Sequence, residues 1–163
     1  MIENLRNKGQ LVALFLVSVS LIGALSTWFS ATVILPELSN IATLNETEEV
    51  WLTNGVQLGF VIGALLIAFF NISDIFSLTN LISICCFTAA CANLLLLLST
   101  TGDQIIFLRI FTGVALAGVY PPSVKLIATW FKSGRGIAMG TIIGALTIGT
   151  AFPHLLKAIA AET

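Results

Sequence analysis

One arginine, one tyrosine and two amides are the side chains in this sequence best suited to hold a solute within an apolar region. Arg109 lies in a run that is otherwise uncharged, and Tyr120 follows further along it. On a helix of roughly 100° per residue, Gly113 and Tyr120 fall within about 40° of Arg109, so a guanidinium, a gap and a phenol share a face. A charge inside a lipid-spanning helix is costly, and it faces a protein interior or a water-filled cavity, where it marks a pathway. The plainer alternative for Arg109 is snorkelling to the nearby helix end, which is also the reading for Lys125. Asn54 and Gln57 stand at i and i+3, and unsatisfied amides are expensive in hydrocarbon, so they face protein or water. Solute contact and an interhelical hydrogen bond are both open for them. Gly23, Thr27 and Ser30 form a weak polar stripe on one helix face. That stripe either lines a solute path or bonds back into its own helix and its neighbours.

Other chemistry is poorly supplied. Cys85, Cys86 and Cys91 lie in one apolar stretch without an accompanying histidine, so no metal site is expected, and no cofactor motif is present. His154 is the only histidine; it suits either proton relay or an idle place at the membrane interface. A catalytic site needs paired groups within reach of each other, and no acid lies inside an apolar run, so the chain is not expected to be an enzyme. A net charge of −1 gives no footprint for nucleic acid.

The elements that must position these residues are apolar helices. The chain of 163 residues is 57% hydrophobic and 9% charged, against about a quarter charged in soluble domains. Its mean hydropathy of +1.03 also indicates an integral membrane protein. Five runs reach the roughly 20 residues that a bilayer crossing requires, near 11–35, 50–70, 78–98, 104–131 and 136–157. The first is too long for a cleaved leader, whose apolar core spans about 7–15 residues. The third has little pattern and reads as scaffold facing lipid. Short connections make neighbouring helices antiparallel, so the expected fold is an all-α polytopic bundle of five transmembrane helices over 1–163. Gly55, Gly59 and Gly63 on the second span, and Gly136, Gly140 and Gly144 on the fifth, form ridges for close helix approach. Pro121 and Pro122 free the carbonyls of Ala117 and Gly118, and Pro153 frees that of Gly149, so two spans are kinked. Broken helices and an intramembrane charge together point to a solute pathway more than to an anchor.

The stretch after Arg109 carries a family resemblance. Arg109-x-x-Thr112-Gly113 resembles the fourth-helix motif of the major facilitator superfamily, with Thr112 in place of the usual Gln. Trp130-Phe131 followed by Arg135-Gly136 is similar to the family's loop before helix five, and Leu58-Gly59-Phe60-Val61-Ile62-Gly63 to its glycine-rich second helix. Two departures stand out. After Asp74, the segment 75–80 lacks the family's Arg and Gly residues, and Gly149 is separated from Pro153, unlike the drug/proton antiporters. The resemblance implies a secondary transporter that moves a small solute by alternating access, with proton coupling an open option. It implies that helices one and four line the path, which fits Arg109, Tyr120, Thr27 and Ser30; Asn54 and Gln57 of the second span join them as candidates on their amide chemistry, with Asp74 and Arg135 as gating-loop residues. It also implies a partial fold: five of the six helices of an N-terminal half, hence a fragment whose partners are the bilayer, the solute and the remaining C-terminal half. The alternative is a transporter-derived sensor or scaffold that moves nothing.

Lys and Arg mark the cytoplasmic side. Arg6 and Lys8 precede the first span, Lys132 and Arg135 lie between the fourth and fifth, and the segment 37–49 is acidic. The expected topology in the cell membrane is therefore N-terminus inside and C-terminus outside, with Lys157 the one basic residue against it. Reporter fusions after Glu49 should read as external and fusions after Ser133 as internal; the reverse pattern overturns the orientation.

Overall fold

The computed structural model describes residues 2–42 and 44–161, with side chains for 8–39 and 44–161. Arg6, used above for orientation, lies outside the described side chains. The described residues form helices α1 (Ile2–Val33), α2 (Leu35–Ala42), α3 (Glu46–Phe69), α4 (Ile72–Ile75), α5 (Leu78–Leu95), α6 (Gly102–Ala117), α7 (Tyr120–Trp130) and α8 (Arg135–Ala161). Five spans are long and apolar enough to cross a bilayer: α1, α3, α5 with the 3₁₀ turn Leu96–Leu98, α6 and α7 together, and α8. This is an all-α polytopic membrane protein.

Local chemistry explains the boundaries. Asn45 caps α3, its side chain accepting from the Glu48 amide while the Glu48 carboxylate accepts from the Asn45 amide at 2.8 Å. The fourth span breaks two residues ahead of the prolines. Gly118 and Val119 close tight turns onto Ala115 and Leu116, and Pro121 and Pro122 then occupy the first turn of α7, where a missing amide proton does no harm. The acidic connection over 37–49 is partly helical, because α2 turns Leu38 into a small core with Leu52, Leu96 and Ile105. Gly134, at φ 70°, makes the left-handed turn that starts α8.

Two helix pairs dominate the packing, α3 with α6 and α1 with α8, and α5 lies across α6. The main core gathers Leu21, Leu25, Val56, Leu116, Ile127 and Ile142 between them. Glycine sets the α3–α6 approach. A Cβ on Gly59 would run into the Ile110 carbonyl, one on Gly113 into the Val56 carbonyl, and one on Gly63 would meet the Val114 carbonyl at 2.8 Å. The ridge on α8 behaves differently. Gly136, Gly140 and Gly144 have nothing within 4 Å of a Cβ, so the close packing expected there is absent among the described residues. The contact on that helix is made by Gly149, where a Cβ would come 2.9 Å from the Ile22 carbonyl, because the crossing with α1 lies nearer the Pro153 end.

The two ridges should respond differently to the same change. Gly59→Ala or Gly113→Ala must push one backbone away from the other and should cost about 1–3 kcal/mol. Gly140→Ala should be neutral or slightly stabilising, since alanine is the better helix former by roughly 1 kcal/mol. Thermal unfolding in detergent compares them; equal effects would contradict the packing described.

Candidate functional site

Arg109 is fully buried, at 0% exposure, and it meets no carboxylate among the described residues. Its guanidinium is held by backbone oxygens. Nε donates to the Leu52 carbonyl of α3 at 2.9 Å, Nη1 to the Thr27 carbonyl of α1 at 2.9 Å, and Nη2 to the Trp28 carbonyl. Nη1 also lies 3.5 Å from the Asn93 Oδ1 of α5, which accepts from the Ser30 hydroxyl at 2.7 Å. One side chain on α6 thus ties the first, second and third spans to the fourth. It does not snorkel, because its donors point across the bundle rather than along its own helix.

The polar stripe of α1 feeds the same cluster. Thr27 is buried and its hydroxyl donates to the Ala24 carbonyl at 2.7 Å, while Ser30 reaches both the Thr27 carbonyl and Asn93. Gly23 faces open space. Of the two readings of the stripe, the hydrogen bonds match the one in which it bonds to its own helix and a neighbour.

Tyr120 does not join Arg109. A shared face requires one continuous helix, and the break at Gly118–Val119 resets the phase between them. The Tyr120 ring packs at the edge of the main core, and no described residue bonds its hydroxyl. Asn54 and Gln57 are exposed on α3 with no partner among the described side chains. His154 stacks on Phe29 of α1, ring centroids 5.7 Å apart, and Lys157 donates to the Val33 carbonyl. These contacts border a groove of about 450 Å³ lined by Ser26, Ser30, Glu37, Phe152 and Pro153.

The opposite end holds the two loop residues. Asp74 on α4 pairs with Lys125 of α7 at 2.6 Å, and the same ammonium donates to the Ser73 carbonyl at 3.2 Å. Lys125 thus carries its ammonium to the partly exposed end of the bundle, where it anchors the connection between the second and third spans. Both partners are partly solvent-exposed, so the pair contributes at most about 1 kcal/mol. Arg135 turns back onto the end of α7, donating to the carbonyls of Phe131 at 2.9 Å and Ala128 at 3.1 Å.

Asn93 is the member of the arginine cluster that the sequence pattern conceals. Its span reads as scaffold facing lipid, yet it supplies the one side-chain acceptor of the arginine cluster. An amide in a run of Leu, Ala and Cys is the available signal, by the same rule that singles out Asn54 and Gln57.

A buried charge with fewer bonds is worse than no charge. Arg109→Lys keeps the charge but cannot reach three carbonyls, and should destabilise by about 3 kcal/mol. Arg109→Met removes the charge and should cost less than half as much, since the backbone carbonyls retain their own helical partners. Chemical unfolding in mixed micelles orders the two, and Met proving the worse would argue against a purely structural clamp.

Comparison with known sequences supplies one match. The family model of the Major Facilitator Superfamily matches residues 15–160. No curated protein and no solved structure matches the chain significantly.

Proposed function

Because the chain belongs to the Major Facilitator Superfamily, a family of membrane transporters, we propose that it moves a small solute by alternating access as a rigid group of helices within a larger transporter. The observation that carries this reading is the Arg109 clamp. Alternating access rocks bodies that hold their internal geometry, and one guanidinium fixes the register of four spans at once. The solute path then belongs on surfaces the clamp leaves unsatisfied. Asn54 and Gln57 present amides on α3, and Tyr120 presents a hydroxyl beside a helix break. In hydrocarbon such groups are unfavourable, whereas against water, solute or further polar helices they are satisfied.

In this reading Arg109, Thr27 and Ser30 are positioning residues, and Asn54, Gln57 and Tyr120 are the contact candidates. Asp74 and Lys125 brace the connection that moves when the bodies rock, and Arg135 braces the next one. The basic end is cytoplasmic in the cell membrane, and solute selectivity requires the second set of helices. Proton coupling has His154, the one histidine of the sequence, as its candidate, in the far half of α8.

A second reading is a sensor or scaffold derived from a transporter. The observation that favours it is the segment 75–80, which carries no basic residue to reach across to another body once Asp74 is paired with Lys125.

Solute flux in proteoliposomes separates these readings. The 163-residue chain alone should show no saturable uptake, whereas the transporter assembled with its second set of helices should. In that assembly Tyr120→Phe and Asn54→Leu should lower flux roughly ten-fold without changing stability, while Lys125→Arg should have little effect. Unchanged flux in both variants would remove those residues from the path. Solute binding without flux in the complete assembly would favour the sensor.

A further inference from the structure

The basic end of the bundle holds a cleft lined by none of the residues assigned above to the solute path. Gln10, near the start of α1, donates from Nε2 to the Trp130 carbonyl at 2.6 Å and pins the two helix ends together. Beside that contact opens a cleft of about 410 Å³, lined by Gln10, Thr129, Trp130, Lys132 and Ser133. We propose that this cleft binds the phosphate headgroup of an anionic phospholipid at the membrane surface.

Electrostatics favour an anion there. The carbonyl end of a helix is ordinarily negative, but at the end of α7 the carbonyls of Ala128, Trp130 and Phe131 are taken by Arg135 and Gln10. The positive start of α8 follows within a few residues, and so the cleft lies next to the amide end of one helix and the neutralised carbonyl end of another. Lys132 is exposed and forms no ion pair among the described residues. Lys8, two positions before Gln10, is likewise exposed and unpaired among them. The acid with a described side chain at this end is Asp74, and Lys125 already pairs with it. The Lys132 ammonium and the Ser133 hydroxyl therefore face the cleft without a counter-charge among the described side chains, while the Thr129 hydroxyl donates to the Leu126 carbonyl of its own helix at 2.7 Å.

The membrane surface is the source of the phosphate. The cleft sits where α1 and α7 reach the end of the apolar bundle, at the level of lipid headgroups. Trp130 is exposed there, and an indole prefers that interfacial layer. Its ring gives the cleft an apolar wall that the glycerol part of a lipid can cover and that inorganic phosphate cannot.

Native mass spectrometry of the 163-residue chain, released from detergent with added lipid, tests the site. Phosphatidylglycerol should bind saturably, and phosphatidylcholine much more weakly. Lys132→Gln should weaken phosphatidylglycerol binding about five-fold, and Lys132→Arg should retain it. Lys157→Gln, at the opposite end, should change nothing. Equal binding of the two lipids, or equal weakening by Lys157→Gln, would overturn the proposal. A soluble arm uses glycerol phosphate. Displacement of the lipid by glycerol phosphate at matching concentration would show a site for free phosphates and sink the lipid assignment.

Discussion

A positive charge in the middle of an apolar bundle has to be solvated by something, and in this protein the solvent is the backbone. Moving an ion from water into a medium of low dielectric costs several kcal/mol even after relaxation. Arg109 meets that cost without a carboxylate among the described residues, through the carbonyls of Leu52, Thr27 and Trp28 and the amide oxygen of Asn93. A carbonyl within a helix uses one lone pair for its own helical bond, and the guanidinium can take the other. The arrangement depends on arginine's planar fork, which addresses several acceptors at once; an ammonium is a point charge on a flexible stem.

That clamp requires the helices to be close, and glycine supplies the closeness. Gly55 stands opposite the first carbon of the arginine side chain, where a Cβ would come within 3.3 Å of Arg109 Cβ. Gly59 and Gly113 continue the contact along α3 and α6. The register is fixed as a result. Shifting α6 by one residue would turn its face by roughly 100° and carry the guanidinium away from every acceptor. Packing and electrostatics thus specify the same alignment, which is the consistency a uniquely folded bundle needs.

Much of the fold is legible in the sequence because lipid imposes a strong length rule, and all five spans stand out on hydropathy alone. The Pro-Pro break and the α3 ridge are also legible, being local chemistry. What fails is anything that depends on which helix faces which. Gly136, Gly140 and Gly144 have the same spacing as the α3 ridge, yet no described residue packs on them. Asn93 and Lys125 acquire their partners across the bundle, from positions that periodicity within one span cannot reach. The shared face of Arg109 and Tyr120 fails for a different reason: a helical wheel carries no information across a break, and the same prolines that announce the break invalidate the wheel. Of the candidate site, the sequence therefore conveys the polar residues but not their grouping.

The grouping separates two kinds of polar residue. Arg109, Thr27, Ser30 and Asn93 are satisfied among themselves and by backbone, so that cluster has no outstanding demand for a ligand, whereas the buried hydroxyls of Ser18 and Ser123 find no partner among the described residues. Asn54, Gln57 and the hydroxyl of Tyr120 are not satisfied by the described residues, and the α8 glycines are not covered by them. A bundle that had to present a solute path to lipid would not be stable as such, since unsatisfied groups in hydrocarbon are expensive. The amides and the phenol thus place polar demand at the surface, and a surface of that kind is complete only against water or against other polar helices. An arginine inside a transporter helix is usually read as a solute ligand. Here its donors are already engaged, and the role proposed for it is to keep the surrounding surfaces in fixed relation while the solute meets residues elsewhere.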